Sequence, residues 1–333
     1  MGRAPRSSTG MSFSPAISTL ATPALMTLWG GHLPFAPEGE KLQRELGRPE
    51  LFSRICVSDP YFALQELKKG VARGEVVARV PVESRSEVEC SPLLASEVYR
   101  HLSVLGACAA SLVNPSEGPH CYLPRRAWVE RLHEGPLPPA TQPLQGSAKA
   151  EFNQRRTAIA HALLSDAEGQ PLFAMGVDYN VLHAESFVRL FQGTRQDPRS
   201  ESPCRGPAVQ GPLPSLRDVV REGECLRGTL GPVGPELCQG HFVLFPVLPM
   251  AAVVEGLCGL AGTLLGEGEG QQPARYLVTH GDVRTESFAH AGETVRFDAH
   301  RLAVKGRDHY FDCWASVEGR VVAVMELTLT CLD

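Results

Sequence analysis

A histidine and a glutamate stand fourteen residues apart in the stretch GHFVLFPVLPMAAVVEG, His241 near its start and Glu255 near its end. Between them, Pro249 opens an almost wholly apolar run that reads as a helix, because proline suits a first turn whose N–H groups have no partner. The amides of Met250 and Ala251 would then lie free at the positive end of the helix dipole. Such donors hold a carbonyl oxygen and the enolate that forms when a proton leaves the adjacent carbon. His241, on the loop just before, is placed to take that proton. A carboxylic acid in apolar surroundings keeps its own proton to higher pH and is able to donate it to a departing hydroxyl. Base, oxyanion donors and acid together fit the removal of water next to a carbonyl group.

The elements that must position these groups occur twice. EVVARV (Glu75–Val80) matches ECLRGTL (Glu224–Leu230) as a first strand, each after a glycine. SPLLASEVYRHLSVLGACAASLV (Ser91–Val113) matches LPMAAVVEGLCGLAGTLL (Leu248–Leu265) as a long apolar helix opened by proline. CYLPRRAWVERL matches RYLVTHGDVRTES as the next strand, and LLSDAEGQPLFAMGVDYNV matches CWASVEGRVVAVMELTLT as a hairpin turning at Glu168-Gly169 and Glu318-Gly319. Four matches in one order form an internal repeat. A helix apolar on nearly all faces is a buried one, and a sheet curled around it satisfies both surfaces. The Pro/Gly-rich, polar segment GTRQDPRSESPCRGPAVQGPLP reads as a linker between two such units.

The arrangement, with GHFVLFPVLPMAAVVEG, resembles the hot-dog fold of the 3-hydroxyacyl-ACP dehydratases. Gly240, His241, Phe242, Pro246, Val247, Leu248, Pro249 and Glu255 fall in register with the family stretch, and Met250 departs from it where the family has glycine. The resemblance covers about Arg221 to Leu332, and the first half joins it only through the repeat. It implies an α+β double hot-dog: two antiparallel sheets, each wrapped around a long central helix, joined as an intrachain pseudo-dimer. The implied organisation is a leader over 1–45, a degenerate first unit over 46–192, a linker over 193–214 and a second unit over 215–333. The implied activity is dehydration of a 3-hydroxyacyl thioester carried by an acyl carrier protein or CoA, with Gly240, Phe242, Pro249, Met250 and Ala251 at the substrate. No cofactor or metal is implied.

In that family the acid beside a given histidine comes from the partner subunit's helix, here the other half. Aligning Leu105-Gly106 with Leu260-Ala261 puts Arg100 opposite Glu255, with Glu97 about one turn earlier. The first half is shorter where its own histidine would stand. One complete site at most is therefore expected, from His241 and an acid on the first helix. Glu97 is the candidate, with Arg100 and His101 nearby. Without Glu97 in place, the expectation becomes an acyl-binding or scaffold protein, and a hot-dog thioesterase is the remaining alternative. Glu255, if it has no catalytic role, is expected to pair with a base such as Arg85 or Arg100, since an isolated carboxylate in apolar surroundings is costly. His101, His120, His161, His183 and His280 lack any motif and read as structural; GEGEG (Gly266–Gly270) lacks the lysine of a phosphate loop.

Composition narrows the setting. With 43% hydrophobic and 21% charged residues and a net charge of -5, the chain reads as a globular protein with no electrostatic case for nucleic acid. Ten cysteines without a CxxC pair suggest unpaired thiols in a reducing cytoplasm rather than a disulfide framework. No apolar run approaches the ~20 residues of a membrane span. A homodimer of such double units is compatible with the sequence.

Overall fold

Two helices of this chain are too apolar to tolerate water, and the sheet is built around them. The computed structural model describes residues 45–137, 140–154, 156–191, 213–242, 245–266 and 274–332. Nearly all of the expected leader and of the expected linker lies outside these residues. The elements are β1 (Gln65–Lys69), β2 (Glu75–Val80), β3 (His120–Arg131), β4 (Leu144–Gln154), β5 (Thr157–Ser165) and β6 (Pro171–His183), then β7 (Arg217–Glu222), β8 (Cys225–Leu230), β9 (Tyr276–Thr285), β10 (Val295–Lys305), β11 (Asp308–Val317) and β12 (Arg320–Cys331). The helices are α1 (Arg48–Ile55), α2 (Ala95–Val113), α3 (Ala184–Phe191) and α4 (Met250–Thr263).

All twelve strands form a single antiparallel sheet in the order β1-β2-β4-β5-β6-β3-β9-β12-β11-β10-β8-β7. The second half of that order mirrors the first, with β7 to β12 standing for β1 to β6. The sheets of the two halves meet edge to edge as one continuous sheet, joined where β3 pairs with β9 through Ala127 opposite Val283. Backbone pairing satisfies an edge that either half alone would leave open. Arg126 reinforces the seam: its Nε lies 3.0 Å from both carboxylate oxygens of the buried Asp282.

Each half wraps a helix as its apolarity demands. In α2, Val98, Leu102, Leu105 and Cys108 are fully enclosed, and α2 packs on β4, β5 and α4. In α4, Val253, Val254 and Leu257 are fully enclosed against β10 and neighbouring strands. Truncating one such leucine to alanine costs about 2–5 kcal/mol. The helices start alike: Leu94 and Pro249 are extended N-caps with φ near -60° and ψ near 145°. Pro249 therefore stands just before the helix rather than in its first turn. The connection before α2 runs only from Pro81 to Leu94, whereas the one before α4 runs from Gly231 to Pro249 and carries the histidine loop. Among the described residues no helix is long and apolar enough to cross a membrane, and the nine described cysteines are free thiols.

Candidate functional site

Glycine at position 240 makes the histidine loop possible. Its φ of +74° belongs to the left-handed region, and an added Cβ would lie 2.3 Å from the Ser58 carbonyl oxygen and 2.8 Å from the Tyr61 nitrogen. The backbone of the first half thus lies directly against the loop of the second. The Ser58 N–H donates to the Gly240 carbonyl at 2.9 Å, and Val57 bridges His241. Phe242 follows with φ +50°, a strained value for a bulky residue, and is held there by burial against Phe187, 5.3 Å between ring centroids.

This contact delivers Tyr61 to His241, with ring centroids 4.8 Å apart. The turn bearing Tyr61 is fixed from α1, where Arg48 donates to the Phe62 carbonyl at 2.9 Å, and by the Phe62 N–H on the Ser58 carbonyl at 2.9 Å. His241 Nδ1 is enclosed and has no hydrogen-bond partner among the described residues. Burial holds the imidazole pKa down at about 4, opposed by a hydrogen bond with the backbone of Val247 that favours the charged ring. At neutral pH the ring is therefore an uncharged base with a free lone pair.

His241 lines a cavity of about 400 Å³, within the roughly 300–1,000 Å³ typical of small-molecule sites. Met250 and Ala251 line the same cavity, and their amides precede the first intrahelical bonds, which Ala252 and Val253 make to the Pro249 carbonyl. The opposite wall is Tyr99 and Ser103 of α2, so both halves build the chamber. Phe191, Phe242 and Phe288 make another part of it apolar. Arg125, Glu286 and Arg320 add a polar, solvent-exposed side. Arg320 is tied by two bonds of 3.1 Å to Glu293, which also accepts the His290 N–H at 2.7 Å.

Glu97 and Glu255 come together, but not with His241. They line a second, smaller cavity of about 110 Å³ with Glu83, Ser84 and Arg100. Glu97 accepts the Glu83 N–H at 3.4 Å; burial, with Glu255 nearby, pushes its pKa to about 7 against hydrogen bonds from Ser84. Glu255 accepts the Leu213 N–H at 2.7 Å and is raised by burial, while the Leu213 bond and Arg100 oppose the rise. Counted from the matched N-caps, Arg100 and Glu255 occupy the same position. Arg100 forms an ion pair with Glu83, and its guanidinium lies 5.9 Å from the Tyr61 ring centroid.

Two further groups escaped the sequence reading. Tyr61 lines both cavities and separates His241 from Arg100; its only local signal is an aromatic after an Asp-Pro turn. Glu89 accepts the Ala95 N–H at 2.7 Å, satisfying an orphan donor at the start of α2, and burial pushes its pKa to about 7. Among the described residues no cluster of three metal-binding side chains occurs.

No family model matches the chain. Curated relatives do. A 3-hydroxyacyl-[acyl-carrier-protein] dehydratase FabZ from Teredinibacter turnerae is 30% identical over 105 residues, covering 30% of this chain and 70% of that protein. The enzyme of the same name from Rhizobium etli is 31% identical over 90 residues, 26% of this chain and 57% of its own length. Among solved structures, a chain assigned as an oleoyl thioesterase from Lactobacillus plantarum superposes with a TM-score of 0.52 at 13% identity. That match covers 79% of this chain and all of the other, and at such identity it speaks to fold alone.

Proposed function

Because this chain belongs to the hot-dog family that includes the 3-hydroxyacyl-[acyl-carrier-protein] dehydratases, we propose that it processes an acyl thioester, with dehydration of a 3-hydroxyacyl group as its reaction. In this reading the mirrored halves are two hot-dog units joined as an intrachain pseudo-dimer, and a single site serves both. The acyl chain enters the apolar part of the 400 Å³ cavity, and the thioester oxygen sits on the amides of Met250 and Ala251. Those amides and the helix dipole stabilise the enolate. Neutral His241 takes the α-proton through its free Nδ1. The carrier is an acyl carrier protein or CoA.

The observation that carries this reading is the meeting, in one cavity, of a neutral imidazole whose Nδ1 has no partner among the described residues and the free first-turn amides of α4. Incubation with a 3-hydroxyacyl thioester should yield the enoyl product, lighter by one water, and His241→Ala should abolish it. No loss of water at any chain length would sink the proposal.

A second reading, an acyl-binding partner without turnover, is favoured by Arg100 standing where the matched helix position holds an acid, and by the Met250 side chain in the cavity wall. It predicts tight retention of an acyl thioester with no change in its mass. Release of free thiol instead would mark a thioesterase.

A further inference from the structure

The site as built has a base and oxyanion donors, yet no carboxyl group from the facing helix. We propose that Tyr61 supplies the proton to the departing β-hydroxyl, in place of an acid on α2; this rests on the dehydratase reading of the same cavity.

The alternatives within the cavity are otherwise engaged. Tyr99 donates its hydroxyl to the Gly281 carbonyl at 2.7 Å, Glu293 is held by Arg320 and the His290 amide, and Glu286 is exposed. Glu97 and Glu255 lie in the other cavity. Among the described hydroxyl-bearing residues, Tyr61 alone packs its ring against that of His241, centroids 4.8 Å apart, while lining the cavity. Its place is fixed by the approach of residues 57–61 to Gly240, where no side chain fits. Behind it stands Arg100, whose guanidinium faces the phenol ring at 5.9 Å. That cation stabilises the phenolate formed when the proton leaves.

The step balances without a further reactant. His241 takes the α-proton, and the Cα–H electron pair becomes the new Cα=Cβ bond. The Cβ–O bond breaks with its pair on oxygen, which takes the phenol proton and departs as water. The imidazolium then gives up its proton and the phenolate takes one back through water, restoring both residues.

The test separates the two proton transfers. In D2O, a saturated substrate such as hexanoyl-CoA exchanges its α-proton using the base and oxyanion donors alone, because it has no hydroxyl to lose. 3-Hydroxyhexanoyl-CoA requires the acid as well. Tyr61→Phe should lose elimination by about 100-fold, a typical contribution of general acid catalysis, with α-exchange within about 3-fold of the wild type and an unchanged melting temperature. Tyr61→Phe that eliminates water as fast as the wild type overturns the proposal, as does Tyr61→Ala that eliminates faster, since the ring would then be a plug. Exchange without elimination in the wild type also overturns it while leaving His241 as base. Absence of both in the wild type removes the dehydratase reading together with it.

Discussion

Arg100 and Glu255 stand at matched positions on the two long helices, carry opposite charges and face the same small cavity. The second half thus keeps a carboxyl group at this position while the first half carries a base, and the base offsets the buried acid between the halves. Arg100 opposes the upward shift that burial gives Glu255, and it also pairs Glu83. Arg100→Met should therefore raise the Glu255 pKa further and leave Glu83 without its cation. The cost should be about 2 kcal/mol of stability, as expected when one partner of a partly buried pair is removed. Carboxyl titration by NMR and chemical denaturation read the two effects separately.

Glu97 gives the cavity a pH dependence of known sign. Its carboxyl titrates at about 7 in the folded protein against 4.5 for an ordinary glutamate. Between those values the folded state holds a proton that the unfolded state has lost, so stability falls as pH rises through the window. Glu97→Gln keeps the neutral form at every pH. It should be nearly neutral at pH 4 and stabilising by up to about 3 kcal/mol at pH 8. A denaturation midpoint that shifts equally at both pH values would contradict this.

His241 acts in the opposite sense. Its ring titrates at about 4 when folded against 6.5 for free histidine, so the unfolded chain binds the extra proton first as pH falls. Its contribution is present above pH 6.5 and disappears progressively toward pH 4. His241→Gln should flatten the stability curve over that interval by up to about 3 kcal/mol. Because Glu97 and Glu89 work the other way, only the difference between mutant and wild type isolates the term.

Much of this arrangement was legible in the sequence, and the division follows sequence distance. The repeat is written in local patterns: alternating strands around Glu168-Gly169 and Glu318-Gly319 do form hairpins, with both glycines at φ near +84°. The apolar helix after Pro249 is equally local. What could not be read is where a long-range contact points a side chain. Tyr61 reaches His241 because one backbone docks on Gly240 far along the chain, a proximity that no periodicity encodes. Glu97 lies on α2, but the direction it faces depends on the Pro81–Leu94 connection, whose Glu83 and Ser84 draw the carboxylate into the second cavity.

The Gly240 contact makes a direct target. Gly240→Ala forces a Cβ into the Ser58 carbonyl at 2.3 Å and onto a φ of +74°, so the turn carrying Tyr61 must retreat from His241. Stability should fall by about 1–3 kcal/mol from the backbone strain. Elimination activity should fall more steeply than acyl-thioester binding, because the apolar wall formed with Phe191 and Phe288 remains. Equal losses in binding and turnover would mean that the contact only holds the cavity together.

The pH profile of turnover distinguishes Tyr61 from Glu97 as the acid. Both readings share an acidic limb near pH 4, where His241 becomes charged and stops acting as a base. They differ on the alkaline side. An acid at Glu97, titrating at about 7, would make kcat/KM decline tenfold per pH unit above neutrality. A phenol pushed up to about 12 by burial remains protonated throughout the accessible range. The expected profile is a plateau from roughly pH 5 to pH 10, unchanged in Glu97→Gln, whereas an alkaline limb near pH 7 that disappears in Glu97→Gln would return the acid to α2.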